Sequence, residues 1–249
     1  MTLISATIIC FNEEKKIRTC IESLLQVCDE IIVVDSNSTD NTLSILSEYP
    51  KVKVHQQEWL GFSAQKQLAV DYATHDWVLS MDSDEYLSKE LIVEISKLKD
   101  SLDVRSCYSL PRLNFYCGKW MKGGGLYPDR QLRLFNRKHA KWSKSKVHEK
   151  IQVAEYIKIQ KLSSDLMHHS IENKEQHIKD IERYSSLAAI DIANKNIRFY
   201  KLHGCFHACS RFIGKYFFKL GFLDGLQGLQ HCRLSAWAAY LKYLKASKR

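Results

Sequence analysis

The sequence predicts an α/β protein whose first half is built on a largely parallel sheet with helices on both faces. In the first hundred residues, short runs rich in β-branched residues alternate with segments whose apolar residues recur at helical spacing. Strands that alternate with helices in this way need crossover connections, which make the strands parallel. We therefore expect a doubly wound α/β half, followed by a mixed second half.

Four strands and four helices are expected in the first half. The strands are short apolar runs at residues 3–10, 30–34, 52–54 and 77–81. Asp40 can cap the second helix and Ser88 the fourth, which extends through Leu98. Helical spacing identifies the apolar residues of the first and third helices, namely Ile17, Ile21, Leu24 and Leu25 in the first and the inward-facing Phe62, Leu68, Ala69 and Tyr72 in the third.

The second half combines strands with one long helix. Strands are expected at residues 107–110, 131–135 and 151–159, with a glycine-rich stretch at 123–125. A helix follows at residues 176–193. Its spacing is expected to place four apolar residues on one face, namely Ile178, Ile181, Tyr184 and Leu187.

Size and charge indicate one folded domain with an appendage. The chain has 249 residues, of which 45% are hydrophobic, and this composition excludes a disordered, collagen-like or coiled-coil protein. Residues 195–249 contain eleven Lys or Arg and a single acid, Asp224, whereas residues 1–194 contain 26 bases and 27 acids. We expect a main domain at residues 1–194 and a basic, aromatic-rich helical extension at residues 195–249.

The sequence also predicts a cytoplasmic location. Its longest uninterrupted apolar run is six residues, at 236–241, whereas a membrane-spanning helix needs about 20. The N-terminus lacks the basic start, long apolar stretch and small-residue cleavage site of a signal peptide. The eight cysteines show no CxxC pairing, so we expect reduced, mostly buried thiols.

Polar clusters follow three of the predicted strands. They are FNEE at residues 11–14, DSNSTD at residues 35–40 and DSDE at residues 82–85. Ligands of open α/β sheets bind at the carboxyl ends of strands, so we expect the clusters to line one crevice. Asp82 and Asp84 can jointly hold a hard divalent cation that also binds phosphate oxygens. Each cluster alone has a structural alternative: an acidic loop before a helix for Asp82 and Asp84, and an Asx turn for Asp35.

Together these motifs resemble glycosyltransferase family 2, whose members use nucleotide-diphospho-sugars. The matching segments are ATIICFNEE, EIIVVDSNSTDNT and GFSAQKQLAVDYATHDWVLSMDSDE. The likeness to bacterial lipopolysaccharide inner-core β-glucosyltransferases extends over nearly the whole chain, through LPRLNFYCGKWMKGGGLYPDRQLRLF, KVHEK, LMHHS and GFLDGLQGL. The resemblance implies a GT-A (Rossmann-like) fold with a C-terminal helical extension. It also implies inverting transfer of a hexose, with UDP-glucose the expected donor, onto the inner-core heptose of lipopolysaccharide or lipooligosaccharide.

The resemblance also implies the residues of a donor site. The nucleotide-sugar pocket would include Phe11, Asn12, Glu13, Asp35, Lys66, Asp82 and Ser83. A divalent cation, Mn²⁺ or Mg²⁺, would be held by Asp82, Asp84 and His168, with Asp84 as the direct ligand. Neutral imidazole suits Mn²⁺ better than Mg²⁺, and the alternative for His168 is an ordinary packing role. Ser36 stands where several members have a second Asp, so specificity for uridine stays open.

An inverting transferase needs one carboxylate to deprotonate the acceptor hydroxyl. The candidates are Glu149 and Asp129, and the resemblance places Glu149 beside the acceptor. Arg130 and Arg133 lie in an alternating stretch and are expected on one polar face. There they would either bind substrate phosphates or be solvated.

The basic extension is expected to contact an anionic membrane surface, because its aromatic residues are interleaved with Lys and Arg as in an interfacial helix. This contact would make the protein peripheral on the inner face of the cytoplasmic membrane, near a lipid-linked oligosaccharide acceptor. No nucleic-acid partner is expected, because no binding motif accompanies the charge. The alternatives are aromatic residues that pack on the main domain, a family 2 enzyme that acts on capsule or protein, and a noncatalytic membrane-surface protein on the same scaffold.

Overall fold

The protein is described by a computed structural model that covers residues 2–143, 149–194 and 197–248. The chain forms two compact units. The first comprises residues 1–112 and 130–168, and the second comprises residues 113–129 and 169–249. The division into domains at residue 194 stays a prediction.

The strands form a mixed sheet whose order is β3-β2-β1-β4-β8-β6-β12-β5. Strands β1 to β4 are mutually parallel where they pair, and β8 runs antiparallel to β4. This arrangement confirms the predicted α/β class. The strands are β1 Ile4–Cys10, β2 Glu30–Asp35, β3 Val52–Gln56, β4 Trp77–Asp82, β5 Glu85–Leu87, β6 Ser106–Tyr116, β7 Lys119–Met121, β8 Asp129–Asn136, β9 Ala140–Trp142, β10 Ile151–Val153, β11 Lys158–Lys161 and β12 Leu166–Ile171.

The helices begin close to the predicted capping residues. Ser88 accepts a hydrogen bond from the Leu91 amide at 3.1 Å, which confirms its predicted capping role. The capping position of the second helix is Asn41, one residue after the predicted Asp40. The Asp40 carboxylate nevertheless accepts from the amide of Thr42, the first residue of the helix, at 3.0 Å. The helices are α1 Ile17–Leu24, α2 Thr42–Ser47, α3 Phe62–Tyr72, α4 Lys89–Leu98, α5 Lys174–Ala193, α6 Tyr200–Ile213 and α7 Gly225–Ala246.

Strand register places the predicted polar clusters at one edge of the sheet. Every residue of β1 and β2 is buried, so these strands form the centre of the first unit. Cys10 pairs with Asp35 across β1 and β2, and Ile9 pairs with Asp82 across β1 and β4. The loops that follow β1, β2 and β4 therefore leave the sheet at the same edge.

Two predicted helix faces are wrong in part. Ala69 of α3 and Ile181 of α5 are buried as predicted, and Leu68 is half-buried, but other members of both faces are exposed. In α3 the rings of Phe62 and Tyr72 are exposed and contact other surface rings instead of the core, at centroid distances of 4.7 Å to Trp59 and 3.9 Å to His55. In α5 the buried residues are His177, Ile181, Ser185, Ala189 and Ile192.

The α5 error has a geometric cause. Residues 178 and 187 are separated by about two and a half turns at 3.6 residues per turn, so they lie on opposite sides of the helix. Accordingly, the side chains of Tyr184 and Leu187 are exposed, and the buried face advances mainly in steps of four residues.

The single strand predicted at residues 151–159 is also wrong. It is two strands, β10 and β11, separated by a turn in which the Ile157 amide donates to the Ala154 carbonyl at 3.0 Å. The thiols follow the prediction more closely, because Cys10, Cys20, Cys28, Cys107 and Cys232 are buried. Cys205 and Cys209 on α6 are exposed.

The second unit is mainly helical. Helices α6 and α7 approach closely at Gly204, where an added Cβ would lie 3.0 Å from the Tyr240 ring. Ala189 and Ile192 of α5 pack with Tyr243 and Ala246 of α7 in a small buried cluster. Across the residues that the structure describes, every helix is too short or too polar to cross a bilayer.

Candidate active site

The loop after β2 is organised by the Asp35 carboxylate. Asp35 is fully buried, and its Oδ2 accepts from the Ser38 amide at 2.8 Å while its Oδ1 accepts from the Ser38 hydroxyl at 2.5 Å. The Cys10 thiol donates to the same Oδ1 at 3.4 Å. The carboxylate therefore holds its own loop, by accepting from the residue three positions further on. A nucleotide contact by Asp35 stays a prediction.

Asn12 connects the loops after β1 and β2. Its backbone lies in the left-handed region at φ 53°, a conformation that asparagine tolerates. Its amide donates to the Ser38 hydroxyl at 2.8 Å, and its side-chain oxygen accepts from the Thr39 amide at 2.8 Å. Beside it the Phe11 ring is 56% exposed. An exposed aromatic ring on a loop held in this way presents a face on which a nucleotide base can stack.

Asp82, at the end of β4, forms ion pairs with two basic side chains. Lys66 Nζ lies 2.6 Å from its Oδ1, and Arg133 Nη2 lies 2.6 Å from its Oδ2. Burial favours the neutral acid, but the charges of Arg133 and Lys66 outweigh burial and hold the pKa of Asp82 well below its usual range. The Lys66 ammonium also lies 4.8 Å from the centre of the Trp142 ring, within cation–π range. Asp82 is therefore an anion whose two oxygens are already occupied.

Glu85 extends this charge network into the core. Its side chain is fully buried, and its Oε1 accepts from Arg133 at 2.7 Å and from Arg112 at 3.0 Å. Its Oε2 accepts from the Asp82 amide at 3.0 Å. Hydrogen bonds and ion pairs thus fix Asp82 and Glu85, the first and last residues of this turn, and Asp84 lies between them.

Asp84 and His168 come together, as the resemblance implied. His168 Nε2 lies 3.3 Å from Asp84 Oδ2, and the two side chains are 15% and 25% exposed. Strand pairing sets this distance, because His168 of β12 is in register with Glu85 of β5. The pKa of Glu13 is raised by burial and, after it, by the negative charge of Asp84, so the carboxyl group of Glu13 interacts electrostatically with Asp84.

The Asp84–His168 pair fits a divalent cation in part. Within the described residues, no group of three or more His, Cys, Asp or Glu side chains is arranged to hold a metal ion. A carboxylate and an imidazole supply two ligands, and Mg²⁺ sites often combine one or two carboxylates with substrate phosphates and water. The geometry favours Asp84 over Asp82 as the metal ligand, because Lys66 and Arg133 already contact the two carboxylate oxygens of Asp82.

The remaining predicted site residues lie in three different segments of the chain. Ser83 is buried in the turn, and Glu149 is partly buried just before β10. His148, its neighbour in the motif, lies outside the described residues. Asp129 is the first residue of β8 and belongs to the second unit.

The prediction that Arg130 and Arg133 share one polar face is wrong. They are three positions apart in a strand, so their side chains point to opposite faces. Arg130 is exposed and donates to the Leu162 carbonyl at 3.0 Å, whereas Arg133 is buried between Asp82 and Glu85. Their binding of an acceptor stays a prediction.

Three contributors to the site were not assigned from the sequence: Glu85, Arg112 and Trp142. Glu85 belongs to the DSDE motif and carried a visible signal, since a fourth polar residue directly follows the two aspartates. Arg112 and Trp142 reach the network from β6 and β9, which are far away in sequence. No local pattern marks such residues before the strand pairing is known.

Comparison with known proteins establishes the class. A sequence model of glycosyl transferase family 2 matches residues 5–160, a span that includes Asp35, Lys66, Asp82, Asp84 and Arg133. The chain therefore belongs to glycosyl transferase family 2, and its mixed sheet with C-terminal helices is the GT-A fold. It is a glycosyltransferase.

Individual relatives extend over almost the whole chain. Lipopolysaccharide core biosynthesis glycosyltransferase LpsC of Rhizobium meliloti is 31% identical and covers 99% of this chain and 92% of its own. An uncharacterized glycosyltransferase of Rickettsia typhi is 31% identical over 98% of this chain and 87% of its own. Among solved structures, S. aureus TarS 1–349 in complex with UDP-GlcNAc covers 94% of this chain and 79% of its own, with a TM-score of 0.48 at 18% identity.

Proposed function

We propose that this glycosyltransferase transfers a hexose, glucose from UDP-glucose, onto the inner-core heptose of a lipid-linked lipopolysaccharide or lipooligosaccharide precursor. The observation that carries the donor site is the pairing of Asp84 with His168 beside an Asp82 whose oxygens are held by Lys66 and Arg133. The whole-length similarity to LpsC supports the choice of acceptor.

Asp84 and His168 would hold a divalent cation, Mn²⁺ or Mg²⁺, which supplies charge neutralisation for the departing diphosphate. Lys66 supports the same chemistry as a point charge at the edge of the sheet, where its side chain is 11% exposed. Phe11, Asn12 and Glu13 would line the nucleotide pocket, with Asp35 holding the adjoining loop. Ser83 would contribute from the turn between the two aspartates.

Transfer in one displacement inverts the anomeric configuration. The acceptor hydroxyl oxygen forms a bond to the anomeric carbon, the bond from that carbon to the diphosphate oxygen breaks, and UDP leaves with the bonding electrons. The acceptor proton passes to a carboxylate. We assign this role to Glu149, with Asp129 as the other candidate. Of the two arginines predicted to bind acceptor phosphates, the exposed Arg130 is the one we assign to that contact, because Arg133 is buried between Asp82 and Glu85.

The lipid-linked acceptor would place the enzyme in the cytoplasm, peripheral on the inner face of the cytoplasmic membrane. Residues 195–249 support this location, because they hold eleven bases and a single acid. Contact with anionic lipid headgroups would bring the enzyme to its acceptor without a membrane-spanning segment.

The test is transfer of labelled glucose from UDP-glucose to purified heptose-terminated lipid acceptor in the presence of Mn²⁺. We expect Asp84→Asn to lose both transfer and Mn²⁺-dependent UDP binding, because it removes the carboxylate that faces His168. Asp191→Asn, which changes an exposed acid on α5, is the matched control and should retain both.

Full turnover by Asp84→Asn would remove the metal assignment. Transfer to another acceptor but not to the heptose acceptor would redirect the acceptor assignment. Vesicle binding by a wild-type chain that neither transfers sugar nor binds nucleotide would favour the noncatalytic alternative.

A further inference from the structure

The connection between α6 and α7 exposes a cluster of large apolar side chains. Phe218 is 83% exposed and Leu226 is 80% exposed. We call residues 217–226 the apolar corner. Its exposed large apolar residues are Phe217, Phe218, Leu220, Phe222, Leu223 and Leu226. Six large apolar side chains exposed within one ten-residue segment indicate an interaction site on this protein.

Close backbone contacts hold the corner in this shape. A Cβ added to Gly228 would lie 1.9 Å from the Gly221 carbonyl oxygen, and one added to Gly221 would lie 2.8 Å from the Cys232 sulfur. Leu220 adopts the left-handed region at φ 55°, which side-chain-bearing residues rarely occupy. The Gly124 amide donates to the Lys219 carbonyl at 2.8 Å. The exposed rings therefore project from a firmly held backbone.

The charges at the corner have one sign. Asp224 is the single acid of residues 195–249, and it is only 4% exposed. Its oxygens accept from the amides of Gly123 at 2.6 Å and Lys122 at 3.2 Å. Arg211, in the last turn of α6, and Lys219, within the corner, are both exposed. This segment therefore presents bases and apolar side chains to solvent while its carboxylate is turned inward.

We propose that the apolar corner inserts into the headgroup region of an anionic bilayer, with Arg211 and Lys219 binding lipid phosphates around it. Aromatic and apolar side chains that enter the acyl boundary, flanked by bases at headgroup level, define an interfacial membrane contact. A second copy of this chain fits less well, because apposed corners would bring like charges together. The inference rests on the proposed membrane location and names the segment responsible for it.

The experiment measures partition of the full chain onto phosphatidylcholine vesicles with and without phosphatidylglycerol. We expect the wild-type chain to bind the anionic vesicles and Phe218→Ser/Leu226→Ser to bind them at least about tenfold more weakly, because two inserted side chains are lost. Tyr184→Ser/Leu187→Ser removes two exposed apolar side chains from α5, which are 62% and 56% exposed, and should bind as the wild type does. Arg211→Gln/Lys219→Gln should weaken binding to anionic vesicles and reduce its dependence on salt.

A fluorescence measurement separates insertion from surface attraction. On anionic vesicles Phe218→Trp should add an emission that shifts to the blue and is quenched by lipids brominated on their acyl chains. Leu187→Trp should add an emission that vesicles leave unchanged. The rate of transfer to a water-soluble acceptor should be the same for wild type and Phe218→Ser/Leu226→Ser. This assay measures the reaction independently of membrane binding.

Several outcomes would overturn the inference. Wild-type partition by Phe218→Ser/Leu226→Ser, or an unshifted emission from Phe218→Trp, would leave membrane docking intact but exclude the corner as its inserted segment. Failure of the wild-type chain to bind anionic vesicles would overturn the docking itself, whatever the transfer assay shows. A wild-type oligomer that dissociates in Phe218→Ser/Leu226→Ser would show that a second copy covers the corner.

Discussion

Replacement of Arg133 by methionine tests the charge network that orders the site. Its Nη2 lies 2.6 Å from Asp82 and 2.7 Å from Glu85, and the Arg133 and Glu85 side chains are 3% and 0% exposed. Met removes one positive charge from between two carboxylates, while Lys66 and Arg112 keep one contact each. Removing one partner of a buried ion pair costs about 3–5 kcal/mol, and we expect a loss of this size in the free energy of unfolding.

An exposed ion pair of the same length provides the control. Lys138 Nζ lies 2.6 Å from Asp76 Oδ2, but the two side chains are 65% and 44% exposed. Solvent screens such pairs, so Lys138→Met should cost less than about 1 kcal/mol. The two variants lose ion pairs of nearly equal length that differ in burial. The difference between their losses in unfolding free energy therefore measures the effect of burial on an ion pair.

A third variant separates charge from shape. Both hydrogen bonds from Arg133 are made by one terminal nitrogen, and the buried Nε makes none. An ammonium group has three donors and can serve both carboxylates, so Arg133→Lys should recover much of the lost stability. Urea unfolding followed by circular dichroism measures all three variants. Equal losses for Arg133→Met and Lys138→Met, or for Arg133→Met and Arg133→Lys, would refute the reasoning.

Two further predictions concern the base and the response to acid. Glu149→Gln should abolish transfer while UDP still binds; if transfer persists and Asp129→Asn abolishes it, the base is Asp129. Burial, and after it the charge of Lys215, lowers the pKa of His231 from 6.5 to about 3. The unfolded chain binds this proton first as pH falls, so we expect His231 alone to lower the unfolding free energy by about 1.4 kcal/mol per pH unit from about pH 6.5 to 3. His231→Gln should flatten this slope in urea titrations and the exposed His203→Asn should not; equal slopes in both variants would contradict the assignment.

Local sequence patterns predicted the parts of the fold that depend on near neighbours. The four parallel strands of the first half, the Ser88 cap and the polar clusters at the sheet edge were all visible as short-range patterns. The Asp35 carboxylate holds its own loop through Ser38, three positions further on, and its contact with a nucleotide stays a prediction. These features are local because β-branched runs, caps and turns involve residues a few positions apart.

Features that depend on distant pairing were missed or misjudged. The alternating stretch around Arg133 showed polar residues, but only the pairing of β8 with β4 reveals that this arginine is buried against Asp82. The buried side of α5 was misplaced for a related reason. It is rich in small and polar residues, and a search for large apolar residues finds Tyr184 and Leu187 on its exposed side.

The most direct test of the central claim is thermal unfolding of the purified chain with a panel of nucleotide sugars, first with Mn²⁺ and then with a chelator. A ligand at about 100 times its Kd adds roughly 2.7 kcal/mol to stability, enough to raise the Tm measurably. The proposed donor site predicts a rise with UDP-glucose that requires Mn²⁺ and disappears in Asp84→Asn. No rise with any nucleotide sugar, or an equal rise in the presence of chelator, would contradict it.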